Sequence, residues 1–246
     1  VAESRRQAAE AAALVRVEYK EDTPLLDARE ALAKDAPLVH ADKDSNEICT
    51  YVTLRGDVEE ALKHAPHVLH RQYETQRVQH VCLETEAAIA EYDAEAEEMN
   101  VHCPVNSPFV IRKVVAETLG FTQADVRVRL ATIGGSFGGK NYDIAMASSR
   151  AAMVAYLLRR PCKVYLTREE SITEGTKRHP LYADYTVGFD DIGRLLAAKI
   201  ELLLDGGAYK SKTFPVTSRM AIEATGPYYV PCVDTRSTSV FTNNVY

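Results

Sequence analysis

The segment Ile133-Gly-Gly-Ser-Phe-Gly-Gly-Lys140 decides the fold, because it places four glycines within six residues between a predicted strand and a predicted helix. Residues 126–132 alternate apolar and polar side chains, which is typical of a strand. Residues 143–158 are rich in Ala, Met and Leu, which favours a helix, and residues 162–166 form a second predicted strand. A strand, a helix and a strand with this spacing predict a βαβ unit that carries the glycine-rich segment as its first loop.

A loop of this composition indicates close contact between the main chain and a ligand. Glycine adopts positive φ angles without strain, and it presents no Cβ to an approaching group. Successive N–H groups at the start of a helix form a concave surface with partial positive charge. A phosphate, a pyrophosphate or an oxyanion on a metal fits such a surface. A turn that needs glycine only for close packing is the other interpretation that the residues leave open.

The same loop also resembles a nucleotide-binding P-loop. Residues 134–140 fit the pattern G-x-x-x-x-G-K, but the next position is Asn141, where Mg²⁺ coordination requires a Ser or Thr hydroxyl. Phe137 also places a bulky apolar group where a phosphate cradle is polar. A P-loop-like nucleotide-binding module that uses residues 134–140 is therefore the alternative function, and a non-catalytic interaction domain is a third.

The composition limits the class of protein. The chain has 246 residues, of which 46% are hydrophobic and 26% charged, as in an ordinary globular protein of one large domain or two small ones. The net charge of −6 argues against a nucleic-acid partner. No run approaches the ~18 apolar residues of a membrane helix. The five cysteines are far apart and lack the spacing of iron–sulfur or other metal ligands, which favours free thiols in a reducing, cytoplasmic compartment.

The expected fold class is α+β: a small N-terminal α+β unit, followed by a domain that contains the βαβ unit and a mixed sheet. Ser107 and Pro108 predict the start of a helix, and Gly120 predicts its end. Other predicted elements are a helix over 58–64, strands over 67–76 and 83–92, a short helix after 167, and a hairpin of strands 182–189 and 195–204.

Several motifs together resemble one family. Residues 134–140 resemble the G-G-x-F-G-G-K loop of the xanthine dehydrogenase/aldehyde oxidase family, in its molybdenum-binding large subunit. Four further segments match that family's motifs: residues 79–90 its E-H-x-Y-L-E-T strand, residues 107–109 its T-Q-S-P-F helix start, residues 167–170 its D-R-E-E motif, and residues 178–180 its R-H-P motif. Because the order and spacing hold over essentially the whole chain, the sequence is identified as a member of this family.

The resemblance implies a domain organisation and a function. Residues 1–78 would be the C-terminal part of a small, hammerhead-like domain, and residues 79–246 the first part of the molybdopterin-binding domain. Members of the family carry molybdenum on molybdopterin and hydroxylate an aldehyde or an N-heterocyclic substrate with oxygen from water. Iron–sulfur clusters and FAD are expected on partner subunits or domains, in a cytoplasmic oligomer without nucleic-acid or membrane partners.

The resemblance also assigns roles to individual residues. The expected cofactor-binding residues are Asn106, Gly135, Ser136, Phe137 and Gly138. Asn106 takes the position of a family glutamine that can donate to the metal's oxo ligand. Phe137 and Asn141 would line the substrate pocket, Phe137 by stacking on a planar substrate.

Two departures from the family pattern bear on activity. Asn141 stands where purine-oxidising members carry a glutamate that hydrogen-bonds the purine, so xanthine is not the expected substrate. The chain contains no expected catalytic residue, because the general base of the family would lie beyond Tyr246. The fragment alone is therefore predicted to be inactive.

Overall fold

The computed structural model describes residues 2–245, so Val1, Tyr246 and the base expected beyond Tyr246 lie outside it. The described part of the chain contains six α-helices and nine strands. In chain order they are α1 (Arg5–Ala13), β1 (Glu47–Arg55), α2 (Val58–His64), β2 (His67–Thr75), β3 (Ala87–Asp93), β4 (Glu98–Cys103), α3 (Pro108–Leu119), β5 (Val126–Leu130), α4 (Asp143–Leu158), β6 (Cys162–Tyr165), α5 (Arg168–Glu174), β7 (Leu181–Phe189), β8 (Leu195–Asp205), α6 (Thr213–Glu223) and β9 (Cys232–Val240).

The larger sheet has five strands in the order β1-β9-β8-β7-β2. Strands β8 and β9 are parallel and the other neighbours are antiparallel, so the sheet is mixed. The predicted hairpin is confirmed as β7 and β8, with Gly193 at φ +82° in its turn. Alternate residues of β8, among them Ile200, Leu202 and Leu204, are buried in a core that also receives Val216 and Met220 of α6.

The smaller sheet has four strands in the order β5-β4-β3-β6, and helices α3 and α4 pack on it. The predicted helix signals are confirmed, since Pro108 is in the first turn of α3 and Gly120 ends it at φ +70°. The predicted βαβ unit is present, but β5 and β6 lie at opposite edges of the sheet. They run in the same direction with β4 and β3 between them, so α4 crosses the full width of the sheet.

Because β4 and β5 are parallel, the connections that follow them leave the sheet at the same end of the strands. Both strands end there, and the Ala131 N–H donates to the Cys103 carbonyl oxygen at 3.0 Å just beyond them. Residues 104–107, which follow β4, and the glycine loop, which follows β5, therefore lie side by side at this end of the sheet. The α+β fold class with mixed sheets is confirmed.

The division of the chain at residue 78 stays a prediction. Strands on both sides of that residue share the larger sheet, since β1 pairs with β9 and β2 pairs with β7. All five cysteines are free thiols, as predicted. Across residues 2–245, no helix combines the length and the hydropathy that crossing a bilayer requires.

Candidate functional site

The glycine loop follows β5 and runs to the start of α4 in an irregular conformation. Three φ angles of the left-handed type occur close together, at Gly135 (+101°), Phe137 (+47°) and Gly138 (+91°). The left-handed region is costly for a residue with a Cβ, and more so for a bulky one. Phe137 is nevertheless 78% exposed, so burial of its ring does not offset this strain. Strained, exposed positions of this kind are concentrated at binding sites.

Three of the four glycines are required by close packing against residues 79–86. A Cβ on Gly134 would lie 2.5 Å from Glu84 Cβ, one on Gly135 would lie 3.3 Å from Cys82 Cβ, and one on Gly139 would lie 2.9 Å from His80 Nδ1. Gly138 differs, because a Cβ there would have no atom within 4 Å. Packing thus explains three glycines, and the open space at Gly138 is the part of the loop that a ligand can approach.

Glu84 forms hydrogen bonds with both ends of the loop. Its Oε2 accepts the Gly134 N–H at 2.8 Å and a hydrogen bond from the Lys140 ammonium, and its own N–H donates to the Gly134 carbonyl oxygen at 3.2 Å. Burial raises the pKa of Glu84, but the Lys140 and Gly134 hydrogen bonds outweigh it and hold that pKa below its usual value.

The position of Lys140 rules out the P-loop interpretation. Its side chain is 0% exposed and is ion-paired with Glu84. A P-loop lysine must reach the β- and γ-phosphates of a nucleotide, and this lysine points away from solvent into a pair that is already complete. The segment 134–140 therefore matches the P-loop pattern in sequence only.

A cavity of about 640 Å³ opens beside the loop. Phe137 and Gly138 of the loop line it, and so do Leu181 of β7 and Leu204 of β8, which are paired in the larger sheet. The other lining residues come from the segments 75–80, 176–179 and 211–220, and from Tyr142. The volume is in the range of small-molecule and cofactor sites, and the largely apolar wall with a few polar groups is typical of them.

The charged groups of the cavity are all cationic. Lys177, Arg178 and Lys212 line it together with His80 and His179, and none of the described lining residues carries a carboxylate. Burial lowers the pKa of His80, and the nearby Lys177 and Lys212 lower it further. The imidazole is therefore neutral at physiological pH, and the lysines and the arginine supply the positive field.

Lys212 connects this cavity to the glycine loop. Its ammonium donates to the Gly138 carbonyl oxygen at 2.9 Å, which fixes the orientation of the peptide that follows Gly138. The helix α6 begins directly after Lys212, and the Thr213 hydroxyl in its first turn shares a hydrogen bond of 3.0 Å with His179 Nε2. The loop, α6 and the segment before β7 thus form one hydrogen-bonded wall.

Two buried carboxyl groups lie behind the cavity. Asp143, the first residue of α4, is 5% exposed and accepts the Thr176 N–H at 2.8 Å. Burial raises the pKa of Asp143 to about 6, with a smaller contribution from Glu86, against the effect of the Thr176 hydrogen bonds. Glu86 is also buried, and its Oε2 has no hydrogen-bond partner among the described residues.

The structure separates the residues that the sequence assigned to the site. Phe137 and Gly138 line the cavity, and Gly135 and Ser136 lie in the same loop just outside it. Asn141 is half-buried behind the loop and does not line the cavity. Asn106 is exposed at the same sheet edge, also outside the cavity wall. The roles of these residues stay predictions.

The loop fits a polar cofactor on two observations. Four buried polar atoms at or beside it have no partner among the described residues, namely Gln79 Oε1, His80 Nδ1, Ser136 Oγ and Asn141 Oδ1. Gly138 offers open space at a positive φ. Within residues 2–245 no cluster of three or more His, Cys, Asp or Glu side chains is placed to hold a metal ion.

Sequence reasoning missed the position of Lys177 and Lys212 in the cavity wall and the hydrogen bonds of Glu84 to both ends of the loop. Lys177 belongs to the basic run 177–179, which was the available signal, although the run alone does not show what it faces. Lys212 carried no signal, because its relation to the loop depends on the packing of α6.

The architecture and the site together define a cofactor-binding domain of the α+β class, with a strained glycine loop over a cationic cavity. The chain belongs to the molybdopterin cofactor-binding domain family, whose model matches residues 39–246. This match confirms the family resemblance that the motifs predict.

Relatives of known name agree with this assignment. The chain is 34% identical over 235 residues to the nicotinate dehydrogenase large molybdopterin subunit of Eubacterium barkeri, and the match covers 96% of this chain and 54% of that subunit. It superposes on quinoline 2-oxidoreductase from Pseudomonas putida 86 with a TM-score of 0.89 at 26% identity, covering 99% of this chain and 31% of the other. Aldehyde oxidoreductase from Desulfovibrio gigas shares the fold, with a TM-score of 0.92 at 22% identity over 100% of this chain and 27% of the other. The chain thus spans about half of the length of the first relative and less than a third of each of these two structures.

Proposed function

We propose that this chain forms the first wall of the cofactor and substrate site in a molybdenum hydroxylase. The observation that carries the proposal is that Phe137 and Gly138 both have positive φ angles and both line an open cavity. The unpartnered polar atoms around the loop and the match to the molybdopterin-binding family support the same site. Asn106, Gly135 and Ser136 are proposed to contact the cofactor as well.

The proposed reaction is hydroxylation of an N-heterocycle or an aldehyde with oxygen from water. Two relatives are named for nicotinate and for quinoline, both of which are nitrogen heterocycles. By the family resemblance, Asn141 stands where purine-oxidising members carry a glutamate, so xanthine is not the proposed substrate; Asn141 itself does not line this cavity. Phe137 is proposed to stack on the planar ring, since its side chain is exposed at the cavity wall.

When bound, the molybdenum–molybdopterin group supplies the two-electron redox chemistry, and the residues of this chain orient the reactants. Gly138 gives the cofactor room for close approach, and the Lys212 ammonium holds the carbonyl group of Gly138, which belongs to the peptide that follows. Leu181 and Leu204, which also line the cavity, offer apolar contact to the substrate. None of the described residues of the cavity wall offers a carboxylate as general base. We therefore propose that the base comes from another segment and that this piece alone is inactive.

The electrons are proposed to leave through iron–sulfur clusters and FAD on partner subunits or domains of a cytoplasmic oligomer. The first relative is named as a large molybdopterin subunit, which supports an assembly with further chains.

The proposal is tested by replacing Gly138 with Ala in the full-length enzyme. Gly193, in the β7–β8 turn, is the matched control, because it also has a positive φ and a Cβ there would likewise meet no atom within 4 Å. Gly138→Ala is expected to lower the molybdenum content, or to lower turnover at least about tenfold, through contact of the new methyl group with the cofactor. Gly193→Ala is expected to keep both. Equal behaviour of the two variants would contradict the assignment of the site.

A further inference from the structure

The cavity beside the glycine loop holds three positive charges without a counter-ion. Lys177, Arg178 and Lys212 all line it, and none of the three has an Asp or Glu oxygen within 4.0 Å among the described residues. By contrast, the buried Lys140 and the largely buried Arg77 each have a carboxylate partner.

The donors of these cations are mostly unused. The Lys177 ammonium donates to the Gly175 carbonyl oxygen, and the Lys212 ammonium donates to the Gly138 carbonyl oxygen at 2.9 Å. Each ammonium has three donors, so further donors remain on both. Arg178 makes one long hydrogen bond of 3.4 Å with the Gln76 carbonyl oxygen, and its fork geometry suits a carboxylate.

Burial makes the positive charges of Lys177 and Lys212 costly in the absence of an anion, whereas Arg178 is exposed. Burial lowers the pKa of both Lys177 and Lys212, and Asp143 opposes this effect from behind the wall. Glu86 acts on Lys177 in the same direction as Asp143, whereas Arg77 acts against them. An anion within the cavity would give these cations a counter-ion. The apolar residues Leu181 and Leu204, which also line the cavity, would contact an uncharged ring.

We infer that the substrate carries an anionic group, a carboxylate on an aromatic or heteroaromatic ring, which Lys177 and Arg178 recognise from the cavity wall. This inference rests on the proposed function and specifies the substrate class of that site. Phe137, which lines the same cavity, then contacts the ring.

The test uses the full-length holoenzyme and two pyridines that differ only in charge, pyridine-3-carboxylate and pyridine-3-carboxamide. The enzyme is expected to prefer the carboxylate. Lys177→Gln is expected to raise the KM for the carboxylate about tenfold or more, since loss of a charge-assisted hydrogen bond has effects of this size. The KM for the carboxamide is expected to rise less, because a neutral acceptor loses less than a charged one, and Lys177→Arg is expected to restore the preference. Lys210→Gln is the control, because Lys210 is exposed nearby but does not line the cavity.

A binding measurement gives the second readout. Calorimetry with benzoate and benzamide, which lack the ring nitrogen, is expected to show tighter binding of benzoate that weakens in salt and in Lys177→Gln. Equal binding of the two compounds, or an equal effect of Lys177→Gln on both, overturns the inference. Loss of molybdenum from Lys177→Gln would assign the cations to the cofactor's phosphate and also overturns it. If the enzyme turns over only the neutral amide, the anionic substrate class is refuted and the proposed function stands. If the enzyme contains no molybdenum, the proposed function is refuted. The comparison of benzoate with benzamide then still decides whether the cavity prefers an anion.

Discussion

Replacing Glu84 with Gln is expected to destabilise the protein more than removing its partner Lys140. The Lys140 side chain is 0% exposed, and Glu84 is its counter-ion. Gln keeps an oxygen that can accept the Gly134 N–H, but it leaves the ammonium buried without a compensating charge. Breaking a buried pair from one side costs about 3–5 kcal/mol. Because the Glu84 side chain is 37% exposed, water can reach part of the site, and we expect a loss of about 3 kcal/mol in the free energy of unfolding.

The opposite replacement is expected to be mild. Met in place of Lys140 keeps the packing of the aliphatic stem, and the Glu84 carboxylate can be hydrated while it still accepts the Gly134 N–H. We expect Lys140→Met to cost about 1 kcal/mol, and the double variant Glu84→Gln/Lys140→Met to cost about as little, since no charge is then buried. The two sites should therefore show a coupling energy of about 3 kcal/mol.

Urea unfolding of the cofactor-free, full-length chain measures these free energies, and hydrogen exchange of the amides at 134–139 reports the loop itself. Folding lowers the pKa of Glu84, so its ionised carboxylate stabilises the folded state. This stabilisation is full above the unfolded pKa of Glu84 and is lost as the pH falls through the folded pKa. The difference between wild type and Glu84→Gln should follow that course. Equal costs of the two single variants, with an additive double variant, would refute the role of the pair.

Three further variants test other parts of the site. Burial raises the pKa of Asp143 to about 6, so its contribution to stability is full below the unfolded pKa and is lost as the pH rises through about 6. Relative to Asp143→Asn, which keeps an acceptor for Thr176, wild type should lose up to about 3 kcal/mol between pH 4 and pH 7. Parallel pH profiles of the two proteins would contradict this prediction. Phe137→Asn should stabilise the cofactor-free chain by about 1 kcal/mol, because Asn tolerates the left-handed region, and should raise the KM for substrate; a loss of stability in thermal unfolding would show that the ring packs on the protein. Gly134→Ala should cost about 2 kcal/mol, because its Cβ would lie 2.5 Å from Glu84 Cβ, and a neutral effect in urea unfolding would mean that this contact relaxes freely.

Local signals in the sequence predicted the elements whose ends are fixed by their own residues. Pro108 and Gly120 delimit α3, and the β7–β8 hairpin follows from alternation about a turn. Strands β1 and β9 were not predicted. Strand β9 is rich in polar residues, and it forms by pairing with β1 on one side and β8 on the other. The wide separation of β5 and β6 was equally beyond the sequence, since two strands from elsewhere in the chain lie between them.

The site was predictable to the extent that one loop defines it. The glycine pattern pointed to Phe137 and Gly138, and both line a ligand-sized cavity, although their roles stay predictions. The pattern did not show that Lys140 is buried, because its environment depends on Glu84, 56 residues earlier in the chain. The cationic wall likewise requires Lys177 and Lys212 to meet the loop through tertiary packing, which no local spacing encodes.

The position of the metal in the intact enzyme tests the central claim most directly. Anomalous diffraction at the molybdenum absorption edge, from crystals of the full-length holoenzyme, locates it without assumptions about the cofactor. We predict that the metal lies in the cavity, against the main chain of Phe137 and Gly138. A molybdenum peak on the other side of the smaller sheet, or against the larger sheet away from residues 134–139, would contradict the account.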